Sequence, residues 1–166
     1  LWQKTSAKML PAPAKFHYMF NMRELSRVFG GVFEAPRDSI KDDVYLVNLW
    51  RHEAERVFTD KLTNATDKEW ESKAILDVVG DVFGQDMVAK ASGLCCFVNF
   101  LGDPIIDADG CVENDRPKLY EQVADVDQVR SKALDFQKQH NEENKVGKLE
   151  LVLFEYALEH LMRINR

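Results

Sequence analysis

The spacing of apolar residues along the chain predicts a mainly α-helical protein. Apolar side chains recur every three or four positions in most stretches, which is the pattern of helices that bury one face. The predicted helices cover, in chain order, residues 1–10, 21–33, 40–62, 66–83, 125–144 and 148–166. The last of these is predicted to bury a stripe of Leu151, Phe154, Leu158, Leu161 and Met162.

Residues 85–117 have a different character. The run 94–101 is mostly apolar without helical spacing, which predicts a short buried strand-like segment. Glycines, prolines and aspartates dominate residues 102–117 and predict a long loop. A second short extended piece is predicted over 118–123. The predicted fold is therefore a mainly α bundle with a short extended or β segment and a C-terminal linker helix.

The segment KFHYMFNMRELSRV joins an aromatic lead-in to a well-marked helix start. Phe16, Tyr18 and Phe20 alternate, so we expect them to bury one face of an extended stretch. Asn21 is a favoured N-cap residue, and Glu24 stands three positions later as in a capping box. The apolar stripe predicted for the helix consists of Met22, Leu25, Val28, Phe29 and Val32.

Arg23 and Arg27 are four residues apart and therefore lie on one face of this helix. One interpretation is a solvated charged face whose arginines are neutralised by carboxylates such as Glu24. The other is a phosphate sensor, because arginine binds phosphate oxygens in a bidentate way and Arg23 lies in the first turn, where the helix dipole favours an anion. The spacing alone leaves both interpretations open.

Composition and charge exclude several classes of protein. The chain has 22 basic and 28 acidic side chains, a net charge of -6, which argues against non-specific binding to nucleic acid or to an acidic membrane. The apolar runs are too short to span a bilayer, which takes about 20 residues, and no signal peptide is visible. Three cysteines, two of them adjacent, favour a reduced intracellular protein.

Candidate catalytic and metal sites find little support. The loop DPIIDADG lacks the ligand spacing of a calcium loop, and His52-Glu53 is not a zinc motif because Arg56 replaces the second histidine. Cys95 and Cys96 are predicted to be core residues. There is neither a GxxxxGK[ST] phosphate loop nor a strand ending in paired acids. We expect no catalytic residue, no metal and no bound cofactor in this chain alone.

The segment that starts the second predicted helix resembles a known protein family. KFHYMFNMRELSRVFGG is similar to the start of the C-terminal helical lid in the third AAA+ module of dynein heavy chains, which reads close to PxPxKxHYxFNxRDxSRV. Three later stretches agree in the same order, and together the matches cover almost the whole chain. They are VNLWRHEAERVFTDKL, KLYEQVADVDQV and LELVLFEYALEHLMRINR, the last resembling axonemal more than cytoplasmic heavy chains.

The resemblance implies an organisation and a role. Residues 1–117 would be the lid of the third module, and 118–166 a connector with the first helices of the fourth. Arg23 would be the sensor 2 arginine that approaches the γ-phosphate, with Arg27 as a second candidate. The parent would be an ATP-driven microtubule motor of the cytoplasmic cytoskeleton, in the ciliary or flagellar axoneme if axonemal, with ATP or ADP and Mg²⁺ in the module. Its partners would be neighbouring modules, microtubules and other dynein subunits, without nucleic acid or membrane.

Two other classes stay open on the residues alone. One is a free-standing helical adaptor that binds a protein through an apolar groove, and the other is a small helical enzyme using scattered histidines and aspartates. Leu1 lies inside a predicted helix and Arg166 lacks a stop signal, so we expect a piece of a longer polypeptide. Glu71 stands where the pattern of its helix calls for a large apolar residue.

Overall fold

The structure, a computed structural model, describes residues 1–93, 95–144 and 147–165. The chain forms two compact units, Leu1–Cys95 and Cys96–Arg166. The described residues contain seven α-helices and two small antiparallel sheets, which confirms the mainly α prediction. None of these helices is long and apolar enough to cross a membrane. Leu94 in the predicted strand-like run and Arg166 in the predicted last helix lie outside the described residues.

The first unit contains five α-helices. The chain passes through short 3-10 turns before and after the second helix, and a π-helical turn, Glu55–Thr59, extends the third. The helices are α1 (Trp2–Lys8), α2 (Met22–Glu34), α3 (Asp43–Ala54), α4 (Ala65–Phe83) and α5 (Gln85–Lys90).

The core of this unit gathers around the aromatic lead-in. Tyr18 and Phe20 are buried against Phe58, and the rings of Phe20 and Phe58 lie 5.8 Å apart. Burial of such large apolar side chains is the main stabilising contribution in a domain of this size. The cluster is completed by Met9, Val28, Ala54, Leu62 and Ile75. One part of the prediction is wrong: Phe16 is 76% exposed, since a short 3-10 turn at Pro13–Lys15 breaks the alternation.

Helix α2 buries only part of its predicted apolar stripe. Val28 lies in the core and Leu25 and Val32 are half-buried, while Met22 and Phe29 are exposed. The stripe therefore faces the core along one edge and solvent along the other. Glu24 and Gly31 are also buried on this helix. A Cβ built at Gly31 would lie 1.9 Å from the Oε2 atom of Glu53, so glycine lets α2 approach α3 closely.

The predicted single helix over 40–62 is divided and shorter. It starts at Asp43 with Asp42 as N-cap, and the π-helical turn follows it from Glu55. In this turn the N–H of Asp60 donates to the carbonyl of Glu55, five residues back, at 3.0 Å. Arg51 and Glu55 of this segment are half-buried and form an ion pair at 2.8 Å.

Helix α4 agrees closely with the helix predicted over 66–83. It starts at Ala65 with Asn64 as N-cap and ends at Phe83. Gly84 follows with a φ of +89°, a conformation that favours glycine. Helix α5 comes directly after it, in a stretch where the pattern predicted no helix.

The second unit pairs two strand segments beneath two helices. β1 (Phe97–Val98) pairs with β4 (Glu121–Gln122), which confirms the two predicted extended pieces, and β1 is buried as predicted. The predicted loop contains a hairpin, β2 (Ile105–Ile106) with β3 (Val112–Asn114), that the pattern did not reveal. The helices are α6 (Val126–Glu143) and α7 (Glu155–Ile164), and Asp125 is the N-cap of α6.

The last helix starts later than predicted. Residues 148–154 are irregular, so Leu151 and Phe154 of the predicted stripe are exposed. Leu158 and Met162 are fully buried against the β1–β4 sheet and α6, within a cluster that includes Val98. The inner half of the predicted stripe therefore belongs to the core of the second unit.

Candidate functional site

The lead-in before α2 is tied to the start of α4 by a polar network. The ammonium of Lys15 and the hydroxyl of Tyr18 both donate to Oδ2 of Asp67, at 2.5 and 2.9 Å. The same hydroxyl accepts from the N–H of Thr63 at 3.1 Å. The hydrogen bond from Lys15 holds the pKa of Asp67 below its usual value and, in return, raises that of Lys15. Two residues of the KxHY sequence therefore fix the direction from which the chain enters α2.

The first turn of α2 is closed by the predicted capping box. The side-chain oxygen of Asn21 accepts from the N–H of Arg23 at 2.9 Å, and Glu24 accepts from the N–H of Asn21 at 3.0 Å. This arrangement satisfies N–H groups that helices otherwise leave unpaired. The N–H groups of Arg23 and Glu24 are used within the cap and are not free to bind a phosphate. Recognition of an anion at this turn would depend on side chains.

Lys61 follows the π-helical turn and contacts the first turn of α2. Its ammonium donates to the carbonyl of Met19 at 2.5 Å and to Oε1 of Glu24 at 3.2 Å. It also lies 5.0 Å from the ring centre of Phe20, within range of a cation–π interaction. π-Helical turns shift the register of the residues that follow them, and here the residues that follow include Lys61. No pattern in the sequence predicts this contact.

Glu24 is the electrostatic centre of the turn. Burial of the side chain raises the pKa of its carboxyl, but the hydrogen bonds from Asn21 and Lys61 outweigh burial and the pKa is lowered overall. The carboxylate is therefore charged at neutral pH. Nη1 of Arg27 lies 3.9 Å from its Oε1 atom, at the outer limit of an ion pair.

The two candidate arginines differ in their surroundings. Both are exposed on α2, one turn apart. Arg27 is next to Glu24, whereas the guanidinium of Arg23 makes no hydrogen bond or ion pair with any of the described residues. A guanidinium group has five N–H donors and fits phosphate oxygens in pairs. The residues of this turn thus suit a phosphate group that approaches from outside the chain.

The exposed apolar side of α2 borders a groove of about 380 Å³. The groove lies between α2, α3 and the end of α4, and its walls are almost wholly apolar. Two exposed aromatic side chains line it: Phe29 of α2 is 50% exposed and Phe83 of α4 is 53% exposed. Apolar patches of this kind mark surfaces that contact another part of a protein. The lining residues include Phe29, Val32, Leu46, Trp50, Val78 and Val82.

Three other buried polar residues in this unit have structural partners. Glu53 is fully buried and pairs with Arg56 at 3.2 Å. Glu71, where an apolar residue was expected, is also fully buried and accepts from the hydroxyl of Thr5 at 2.7 Å. His52 is buried with its Nδ1 atom 3.2 Å from the carbonyl of Cys95, as expected for a packing residue. Among the described residues no group of three or more histidines, cysteines and carboxylates is arranged for a metal.

Comparison with known proteins relates the first unit to a known domain family. The AAA+ lid domain family matches residues 1–90, which is nearly the whole first unit. The chain is 42% identical over its full length to the dynein gamma chain of the flagellar outer arm of Chlamydomonas reinhardtii. It is 38% identical to dynein axonemal heavy chain 5 of Mus musculus and 34% to dynein axonemal heavy chain 8 of Homo sapiens. The chain spans about 4% of the length of each of these relatives.

Proposed function

The chain belongs to the AAA+ lid domain family and is similar over its whole length to axonemal dynein heavy chains, and from this premise we propose that it is the lid of the third AAA+ module of such a heavy chain. In this role it covers the nucleotide of that module and relays the nucleotide state to the fourth module. The parent is an ATP-driven microtubule motor of the ciliary or flagellar axoneme. The full-length similarity supports this proposal over a free-standing adaptor or a small enzyme.

The observation that carries the proposal is the unpaired guanidinium of Arg23 on a fixed helix start. Asn21, Glu24 and Lys61 hold the first turn of α2, so the position of the Arg23 backbone is well determined. ATP or ADP with Mg²⁺ is held by the rest of the parent module, since this chain has no phosphate loop and no pair of magnesium-binding acids. The nucleotide supplies the reacting phosphate, and this chain contributes Arg23 as the sensor 2 residue.

The apolar groove supports the same role. A lid must lie against other parts of its module, and the outward apolar side of α2 offers a surface for such a contact. We place the boundary of the lid at residue 117 and assign residues 118–166 to the connector and first helices of the fourth module. The first compact unit, Leu1–Cys95, contains α2 and the groove, while 96–117 lie in the second unit.

The test is to replace each arginine in the full heavy chain and to measure MgATP affinity at the third module together with motor ATPase rate. Arg23→Ala should weaken binding about tenfold to a hundredfold, since a hydrogen bond to a charged group contributes about 1.5–3 kcal/mol. Arg23→Lys should restore binding in part, because an ammonium keeps the charge without the planar fork. Arg27→Ala should change affinity by less than about threefold. Equal affinities in all variants would refute the sensor assignment.

A further inference from the structure

Glu24 binds three partners through one carboxylate. Its Oε2 atom accepts from the backbone N–H of Asn21 at 3.0 Å, its Oε1 atom accepts from Lys61 at 3.2 Å, and Arg27 lies 3.9 Å from Oε1. Only 7% of the side chain is exposed. A carboxylate with so little access to water depends on such partners to remain charged.

The position of this carboxylate makes the two arginines unequal. Arg23 and Arg27 are both exposed and stand on successive turns of one helix, and Glu24 lies between them in the sequence. Arg27 is within ion-pair distance of the carboxylate, while Arg23 has no hydrogen-bond or ion-pair partner among the described residues. The difference follows from Glu24 itself, since no other acidic group in the described residues pairs with either arginine.

We propose that Glu24 is a positioning residue: its carboxylate holds the guanidinium of Arg27 beside α2 and leaves Arg23 to bind the phosphate. This inference rests on the proposed lid function and assigns the division of roles between the two arginines to one buried carboxylate. The negative charge also weakens the attraction of the turn for an anion, so that the lid binds nucleotide less tightly than two free arginines would allow.

Removal of the charge should therefore tighten binding. Glu24→Gln keeps the size of the side chain and an oxygen that accepts from Asn21 or Lys61, but it no longer attracts Arg27. The released guanidinium becomes a second cation for the phosphate. We expect MgATP to bind about threefold to tenfold more tightly, the size of effect that one charge has on another several ångström away at a partly exposed site.

The experiment measures equilibrium binding of MgATP to the full heavy chain, with the phosphate loops of the other nucleotide-binding modules disabled. The chains compared are wild type, Glu24→Gln, Arg27→Ala and the double variant. The tightening caused by Glu24→Gln should become clearly smaller when Arg27 is also alanine, because only the direct effect of the lost negative charge then remains; such a difference is the signature of coupled residues in a double-mutant cycle. Glu24→Asp keeps the charge and should stay within about twofold of wild type.

Glu34→Gln is the matched control, because it makes the same change at an exposed position on the same helix. It should leave the affinity unchanged. The proposal is overturned if Glu24→Gln has no effect, if its effect is the same with and without Arg27, or if Glu24→Asp tightens binding as much. Loss of folding in Glu24→Gln would also contradict it, since the charge would then maintain the fold and not the choice of arginine.

Arg23→Ala in the same assay separates this inference from the proposed function. If Arg23→Ala weakens binding while Glu24→Gln has no Arg27-dependent effect, the sensor assignment stands and the role of Glu24 is wrong. If Arg23→Ala leaves binding unchanged, the proposed function itself fails.

Discussion

Tyr18→Phe tests whether the aromatic lead-in fixes the start of α2. The ring of Tyr18 is 1% exposed and would remain in place in the variant, so the change removes only the hydroxyl. That hydroxyl donates to the carboxylate of Asp67 at 2.9 Å and accepts from the N–H of Thr63 at 3.1 Å. Both bonds join residues that are more than forty positions apart in the chain.

The expected loss of stability follows from these two bonds. A hydrogen bond to a charged group contributes about 1.5–3 kcal/mol, and one to a neutral N–H about 0.5–1.5 kcal/mol. Asp67 keeps its bond to Lys15, and its side chain is 19% exposed, so water can replace part of the loss. We therefore expect the free energy of unfolding to fall by about 2 kcal/mol, which lowers the melting temperature by about 4–8 °C for a chain of this size.

The assay is thermal unfolding of the 166-residue chain followed by circular dichroism. Tyr156→Phe is the matched control, because Tyr156 is 63% exposed and the same atom is removed there without loss of a described hydrogen bond. The control should melt within about 1 °C of wild type. Equal melting temperatures for the two variants would refute the claim that the Tyr18 hydroxyl anchors the lead-in.

Three further predictions concern the fold and the isolated chain. Burial raises the pKa of Glu71 despite the hydrogen bond from Thr5, so the folded chain keeps a proton that the unfolded chain releases above its ordinary pKa of 4.5. As pH rises above 4.5, the free energy of unfolding of the wild-type chain should therefore fall relative to that of Glu71→Gln. The fall should be at most about 1.4 kcal/mol per pH unit. Urea unfolding of both chains at a series of pH values checks this. A pH-independent difference would contradict it. Gly31→Ala should destabilise the chain by about 2–3 kcal/mol, because the added Cβ would meet Glu53. Gly30→Ala, at the exposed neighbouring position, should stabilise it by about 0.5–1 kcal/mol. Similar changes in melting temperature for the two variants would show that α2 and α3 do not approach closely at Gly31. Titration calorimetry of the isolated chain with MgATP should show no binding at micromolar concentrations. A micromolar affinity would contradict this and reveal a complete nucleotide site within the chain.

Local signals in the sequence predicted the parts of the site that depend on neighbouring residues. The capping box of Asn21 and Glu24 was expected from their spacing, and the structure forms it because both partners lie within one turn. The extended piece that contains β1 was also expected, since its apolar run lacks helical spacing, and it pairs with β4 from the second predicted extended piece. The resemblance to dynein lids, carried by the KxHYxFN lead-in, agrees with the family match over residues 1–90.

Contacts between distant residues could not be predicted in this way. Lys61 meets Glu24 across 37 positions, and its placement follows a π-helical turn that has no simple sequence pattern. The apolar stripe of α2 predicted the burial of Val28 correctly but not the exposure of Met22 and Phe29. A stripe predicts contact with some apolar surface and does not say whether that surface belongs to the same unit. The close approach of Glu53 to Gly31 is likewise a contact between distant residues.

The central claim is that the guanidinium of Arg23 meets the phosphate of a nucleotide held by the third module. The most direct measurement is an electron cryomicroscopy structure of the full heavy chain with an ATP analogue and Mg²⁺ in that module. The account predicts a guanidinium nitrogen of Arg23 at about 2.7–2.9 Å from a γ-phosphate oxygen, with Arg27 still beside Glu24. An Arg23 side chain that points into solvent, with the first turn of α2 far from the phosphates, would contradict it.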